Sequence, residues 1–164
     1  MSAAETLAGE ALDPLDPRYR TVLRLGSLVA ALPLLVAAVV ADAVLSSRFD
    51  FAFGAIASGI ALLLISWVLV SPARRFNAWG YRLDGDELNV ARGVLTRTHS
   101  IVPLQRVQHI DVGQGAIARR FGLAELVVHT AGTHGAAVTI PGLALPEAER
   151  LRDEIRLHIR REAE

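Results

Sequence analysis

At 164 residues the chain has room for one modest soluble core, while its 52% hydrophobic content and mean hydropathy of +0.37 exceed what such a domain needs. A formal net charge of +0 supplies no long-range attraction for nucleic acid, and the lack of cysteine excludes a disulfide framework, a thiolate metal site and a cysteine nucleophile. All 17 cations are arginine, which gives each basic position a planar, permanently charged fork without itself indicating recognition.

Residues 1–24 form an N-terminal tail, disordered or juxtamembrane. Met1 to about Asp16 is rich in small and acidic residues, carries Pro14 and shows no apolar period. Residues 25–71 then read as a transmembrane helical hairpin, with uncharged apolar runs giving spans at about 25–45 and 51–70. Roughly 20 apolar residues suffice to cross a bilayer, and only a helix satisfies its own backbone there. A cleaved signal peptide fits poorly, because the stretch before the first run is long and acidic for a signal's basic start. A helical hairpin buried in a soluble protein fits no better, since so small a domain could not cover two helices apolar all round.

Arg18, Arg20 and Arg24 precede the first span and Arg74, Arg75 and Arg82 follow the second, whereas the intervening loop carries only Arg48. The positive-inside rule then places both termini in the cytoplasm. Asp42 and Asp50 are expected at the hydrated outer ends, which removes the main support for a channel or transporter. The pairs Gly26 with Ala30 and Ala55 with Gly59 have the four-residue spacing that permits close helix contact.

Residues 78–161 read as the soluble domain. Strands are expected at about Ala78 to Leu83, Glu87 to Ala91 and Val94 to Val102, with an Asp84-Gly85 hairpin turn, a second turn or bulge at Gly93, and Pro103 as a stop. Gln105 to Val112 alternates with polar residues on both faces, as in a curved, partly open barrel strand. One helical turn at Ala116 to Phe121 leads to strands at Leu123 to Thr130 and Ala136 to Ile140. These are joined by a glycine-rich hairpin at Ala131 to Gly135 and ended by Pro141-Gly142. The last element is a helix over Pro146 to Arg161, whose Ala148, Leu151, Ile155 and Ile159 form one apolar stripe.

The stretch Pro103 to Gly132 joins Pro103, Arg106 and Gln108 on a strand, Arg119 beside Arg120-Phe121-Gly122-Leu123, and Thr130-Ala131-Gly132. Together with the two spans, Trp79 and Tyr81 on the first strand, and the Arg92 to Leu95 turn, it resembles the bacterial pleckstrin-homology (PH) domain membrane proteins of the YdbS-like, DUF304 (bPH2) type. The resemblance covers about Arg18 to Arg161. It implies a two-helix transmembrane hairpin followed by a mainly-β PH-like partly open barrel capped by a C-terminal helix, held at the bacterial inner membrane. It implies no activity, because the fold hosts headgroup binding, peptide binding and assembly contacts alike.

Pro103, Arg106, Gln108, Arg119, Arg120, Phe121 and Gly122 are therefore the candidate binding or structural motif, with the arginines and Gln108 able to hold an anionic headgroup or an acidic segment, or else to satisfy loop carbonyls. No catalytic residue, cofactor or metal is expected. None of His99, His109, His129, His134 and His158 shows ligand spacing, and only His109 has a carboxylate, Asp111, on its own strand face. The leading expectation is a non-catalytic module presenting a cytoplasmic surface to a protein partner or homologous PH-domain subunit, with homo-oligomerisation as one form of it. An anionic-lipid sensor is the alternative, and a His-dependent membrane hydrolase resting on His109 and Asp111 a remote one.

Overall fold

A computed structural model describes residues 12–49, 54–131 and 137–162. The chain divides into two compact units, Leu23–Arg74 and a second formed by the residues up to Val22 with those from Arg75 onward.

The first unit is a helical hairpin. Helix α1 (Tyr19–Arg48) and helix α2 (Ala55–Asn77) have 30 and 23 residues, both long and apolar enough to cross a membrane. Their leucines and valines, among them Leu28, Val29, Leu32, Leu62, Leu63 and Leu69, remain largely exposed within the chain, as in helices whose solvent is lipid. The buried positions of α1 are Ser27, Ala31, Ala38 and Asp42, spaced as one face of the helix. Gly26 and Gly59 face open space, so within the chain neither glycine is at a close approach of the two helices, which the four-residue spacing would allow.

Asp42 also departs from expectation. The helix runs on to Arg48, and Asp42 is fully buried, accepting hydrogen bonds from the backbone N–H groups of Gly54 (2.6 Å), Ile56 (2.9 Å) and Ala57 (3.3 Å). A helix start leaves orphan donors that are costly away from water, and a carboxylate answers both those donors and the positive end of the helix dipole. The residue expected to be hydrated is instead the polar clasp of the hairpin. Asp50 lies outside the described residues.

The second unit holds two three-stranded antiparallel sheets, β1 (Gly80–Asp84), β2 (Glu87–Arg92) and β3 (Thr98–Pro103) in one, and β4 (Val107–Gly113), β5 (Leu123–Thr130) and β6 (Ala137–Ala144) in the other. Two separate ladders, rather than one closed ring, are the partly open form that the alternating faces implied. Asp84 pairs with Glu87, which makes Gly85 and Asp86 the central residues of the first hairpin turn, with Gly85 at φ 52°. Gly93, at φ 114°, turns the chain so tightly that a Cβ there would overlap the carbonyl of Thr96, and for this reason β3 begins at Thr98 instead of Val94. The last strand runs through Pro141-Gly142 to Ala144; it is an edge strand, where a missing N–H need not cost a ladder bond.

Helix α4 (Leu145–Glu162) packs on β4, β5 and β6. Its Ala148, Leu151 and Ile155 are buried against a core that includes Leu88, Val90, Val102, Leu104, Ile110, Leu123, Leu126, Val128, Ile140 and Leu143. Leu88 and Val90 on β2, and Leu126 and Val128 on β5, alternate, the period that puts one strand face inward. His158 on α4 meets Asp86 of the β1–β2 turn at 2.7 Å, tying the helix to the first sheet.

Residues 12–16, expected to be disordered, are part of this unit. Asp13 exchanges two backbone hydrogen bonds with Tyr81 (2.7 and 3.0 Å), extending the first sheet by one bridge. Leu15 is 2% exposed and Asp16 N–H donates to the carbonyl of Gly142. So short a stretch shows no period, yet backbone pairing plus one buried leucine is enough to dock it. The packed domain therefore does not start at residue 78.

Candidate functional site

The motif residues fall at two ends of the β4–β5 ladder. Arg106 closes a single 3-10 turn (Leu104–Arg106) that leads into β4, and its carbonyl accepts from Ala131 N–H beyond the end of β5. Arg119 and Arg120 close helix α3 (Ala116–Arg120) at the opposite end, where β5 starts. With Val107 across from Thr130 and Gly113 across from Glu125, a strand of about 3.3 Å per residue sets Arg106 and Gln108 roughly 15–20 Å along β4 from the α3 end. The four residues do not form one cluster.

At the α3 end the chain is held. Gly122 has φ 67°, a conformation suited to glycine, and its carbonyl accepts from Leu145 N–H. The carbonyl of Phe121 accepts from Arg18 Nη1 at 3.3 Å, while Arg18 grips Asp16 through Nε (3.0 Å) and Nη2 (2.8 Å). The guanidinium holds the Asp16 carboxyl below the usual carboxylate range. Tyr19 packs on Gly142, at φ 65°, where any Cβ would strike its ring. Arg20 lies 4.2 Å over the ring of Phe76 and donates to Asn77 Oδ1 at 3.1 Å. Nearby, burial above all, and then Glu147, push the Tyr81 hydroxyl up to about 12, and Arg150 holds Glu147 down.

At the other end two motif side chains are unbonded. Arg106 and Gln108 are exposed and, among the described residues, make no side-chain hydrogen bond or ion pair; the same holds for Arg119 and Arg120. None of the four satisfies a loop carbonyl. Pro103 does have a backbone role, closing β3 opposite Glu87 and opening the 3-10 turn. Val107, Gln108, His109 and Ile110 line a cleft of about 450 Å³ with Arg156 and Ile159 of α4. As the first strand of its sheet, β4 also has one edge unpaired within that sheet.

One further grouping was hidden from linear spacing. A bulge between Val107 and His109 shifts the register so that His109 sits across from His129. The rings stack at 4.0 Å with an interplanar angle of 13°, and Asp111 Oδ2 lies 3.2 Å from His129 Nε2 and 3.7 Å from His109 Nε2. Two histidines without ligand spacing along the chain are thus brought together in the sheet. Alternation identified His109 and Asp111 as sharing a face, but the third member comes from the neighbouring strand.

Comparison with known proteins adds the following. A family model described as a bacterial PH domain matches residues 21–158. The UPF0699 transmembrane protein YdbS of Bacillus subtilis (strain 168) is 35% identical over 131 residues, covering 78% of this chain and 79% of that protein. The UPF0699 transmembrane protein YdbT of the same organism is 25% identical over 104 residues, 63% of this chain but 20% of the longer protein. No solved structure matches.

Proposed function

The chain belongs to the bacterial PH domain family, and from that membership we propose that it is an inner-membrane anchored module whose Arg106–Gln108 end binds a protein partner, in the first place a homologous PH-domain subunit. Both termini lie in the cytoplasm in this reading, supported by the arginines that flank the outer ends of the hairpin. The observation that carries it is the state of Arg106 and Gln108. Both are exposed and, among the described residues, make no side-chain hydrogen bond or ion pair; Gln108 lines a cleft and β4 has an edge unpaired in its sheet, which are the features of a surface that adds a partner segment. That one organism holds both a short and a long relative supports a hetero-complex of two such proteins.

The test is affinity capture of the full chain from crosslinked membranes, with captured proteins identified by mass spectrometry. A protein carrying a domain of the same family should be recovered with the wild-type chain and depleted at least tenfold with Arg106→Ala/Gln108→Ala. Unchanged recovery with a folded variant would remove this end from recognition.

A second reading, contact with anionic lipid, is favoured by the loop between β2 and β3. Leu95 is 98% exposed and Val94 45%, with Arg92 and Arg97 beside them, an apolar tip between cations that suits a headgroup layer. The wide separation of the arginine pairs argues against a single headgroup pocket built from Arg106, Gln108, Arg119 and Arg120. Flotation of an isolated domain beginning at residue 77 is a poor assay, because it would strip away Leu15 and the Asp13 bridge. Lipid retained by the purified full chain, compared between wild type and Leu95→Ser, is the sounder one: equal anionic-lipid content would exclude the loop.

A further inference from the structure

We infer that His109, Asp111 and His129 form a binding site for a divalent first-row transition metal ion, independently of the partner reading above. Three donor atoms, two imidazole nitrogens and a carboxylate oxygen, all lie within 4.8 Å of one another. Ligands of a tetrahedral ion bound at about 2.0–2.1 Å stand about 3.3 Å apart, so the observed Asp111 distances of 3.2 and 3.7 Å already bracket that spacing.

The backbone builds this arrangement. Without the bulge, continuing the register from the Val107 and Thr130 pair would set His109 across from Val128, a buried core position, and His129 on the opposite face. The extra residue in β4 moves His109 and Asp111 onto the face of His129, the re-aiming for which bulges are used. Ile110 and Val128 stay paired and buried behind the site, so its floor is rigid.

The chemistry also favours a cation over a simple ion pair. A 3.7 Å separation is too long for a hydrogen bond, so Asp111 cannot serve both rings as an acceptor in this geometry. The two stacked ring planes cannot both contain one ion, so coordination turns an imidazole out of the stack until its nitrogen lone pair meets the ion in the plane of its own ring. Two imidazoles with one carboxylate match zinc, nickel, cobalt or copper better than magnesium or calcium, which prefer all-oxygen shells. With side chains 60%, 64% and 31% exposed, an ion can enter without opening the fold, and a fourth position is left for water or an outside ligand.

The experiment is titration of Zn2+ into the tag-free full chain in detergent, stripped beforehand with chelator, followed by calorimetry and thermal melting. The expected result is one saturable site per chain and a melting temperature that rises with Zn2+. In His109→Ala, His129→Ala and Asp111→Asn, binding should weaken at least tenfold, with metal-free melting curves like that of the wild type. His99→Ala should bind as the wild type does. No saturable binding by the wild type, or binding of equal strength in a His109→Ala/His129→Ala variant, would overturn the site.

Discussion

The two ends of the β4–β5 ladder expose similar motif side chains but differ in how firmly the chain around them is tied down. At the α3 end, cations and carbonyls are spent on one another: Arg18 holds Asp16 and Phe121, Gly122 receives Leu145, and Gly142 makes room for Tyr19. At the bulged end, Arg106 and Gln108 are exposed and, among the described residues, make no side-chain hydrogen bond or ion pair, like Arg119 and Arg120 of α3, while His109 and Asp111 engage His129. Residue type alone does not distinguish architecture from recognition; what decides is whether the backbone around a side chain consumes its polar groups.

The contrast breaks most sharply at Gly142. Gly142→Ala combines a positive φ with a Cβ placed 2.2 Å from Tyr19 Cγ and should cost about 3–4 kcal/mol, read as a lowered melting temperature. Adding Tyr19→Ala should restore part of the loss by opening that space. Leu15→Ala, which leaves a cavity under the docked N-terminal segment, should cost about 2–3 kcal/mol in the same measurement.

A smaller effect is expected from pH. The Glu147 carboxyl lies below its ordinary value of 4.5, chiefly through Arg150, so its contribution is complete above pH 4.5 and disappears as pH falls through the depressed value. Because the pair is solvent-screened, the contribution is below about 1 kcal/mol. Glu147→Gln should lower the neutral plateau by that amount and leave the most acid end unmoved, which flattens the acid limb of the stability curve. At the bulged end, Arg106→Ala/Gln108→Ala should change stability by no more than about 0.5 kcal/mol, since nothing in the domain depends on either side chain. A larger loss would mean that this end is architectural too.

Much of this was legible in the sequence. The hairpin follows from uncharged runs, the strands from alternation and turn residues, and α4 from its stripe of Ala148, Leu151 and Ile155. The parts that were not legible share one physical cause: they depend on contacts between residues distant in sequence. Asp42 reads as a hydrated end until its carboxylate is seen to meet the N–H groups of Gly54, Ile56 and Ala57. The segment around Asp13 and Leu15 docks by one backbone bridge and one side chain, too little to leave a period. The His109–His129 pair depends on a one-residue register shift. Alternation along one strand pairs His109 with Asp111 but says nothing of a residue on the neighbouring strand. The motif was recognisable as a unit of sequence, whereas its division between two ends appears only once β4 separates them.

The most direct test sets the two ends side by side in crosslinked membranes, capturing the full chain as wild type, Arg106→Ala/Gln108→Ala, and Arg119→Ala/Arg120→Ala. The expected result is recovery of a second PH-domain protein with the wild type and the α3 variant, and its loss with the Arg106/Gln108 variant. Equal recovery with all three, or loss confined to the α3 variant, would contradict the assignment of the bulged end as the recognition surface.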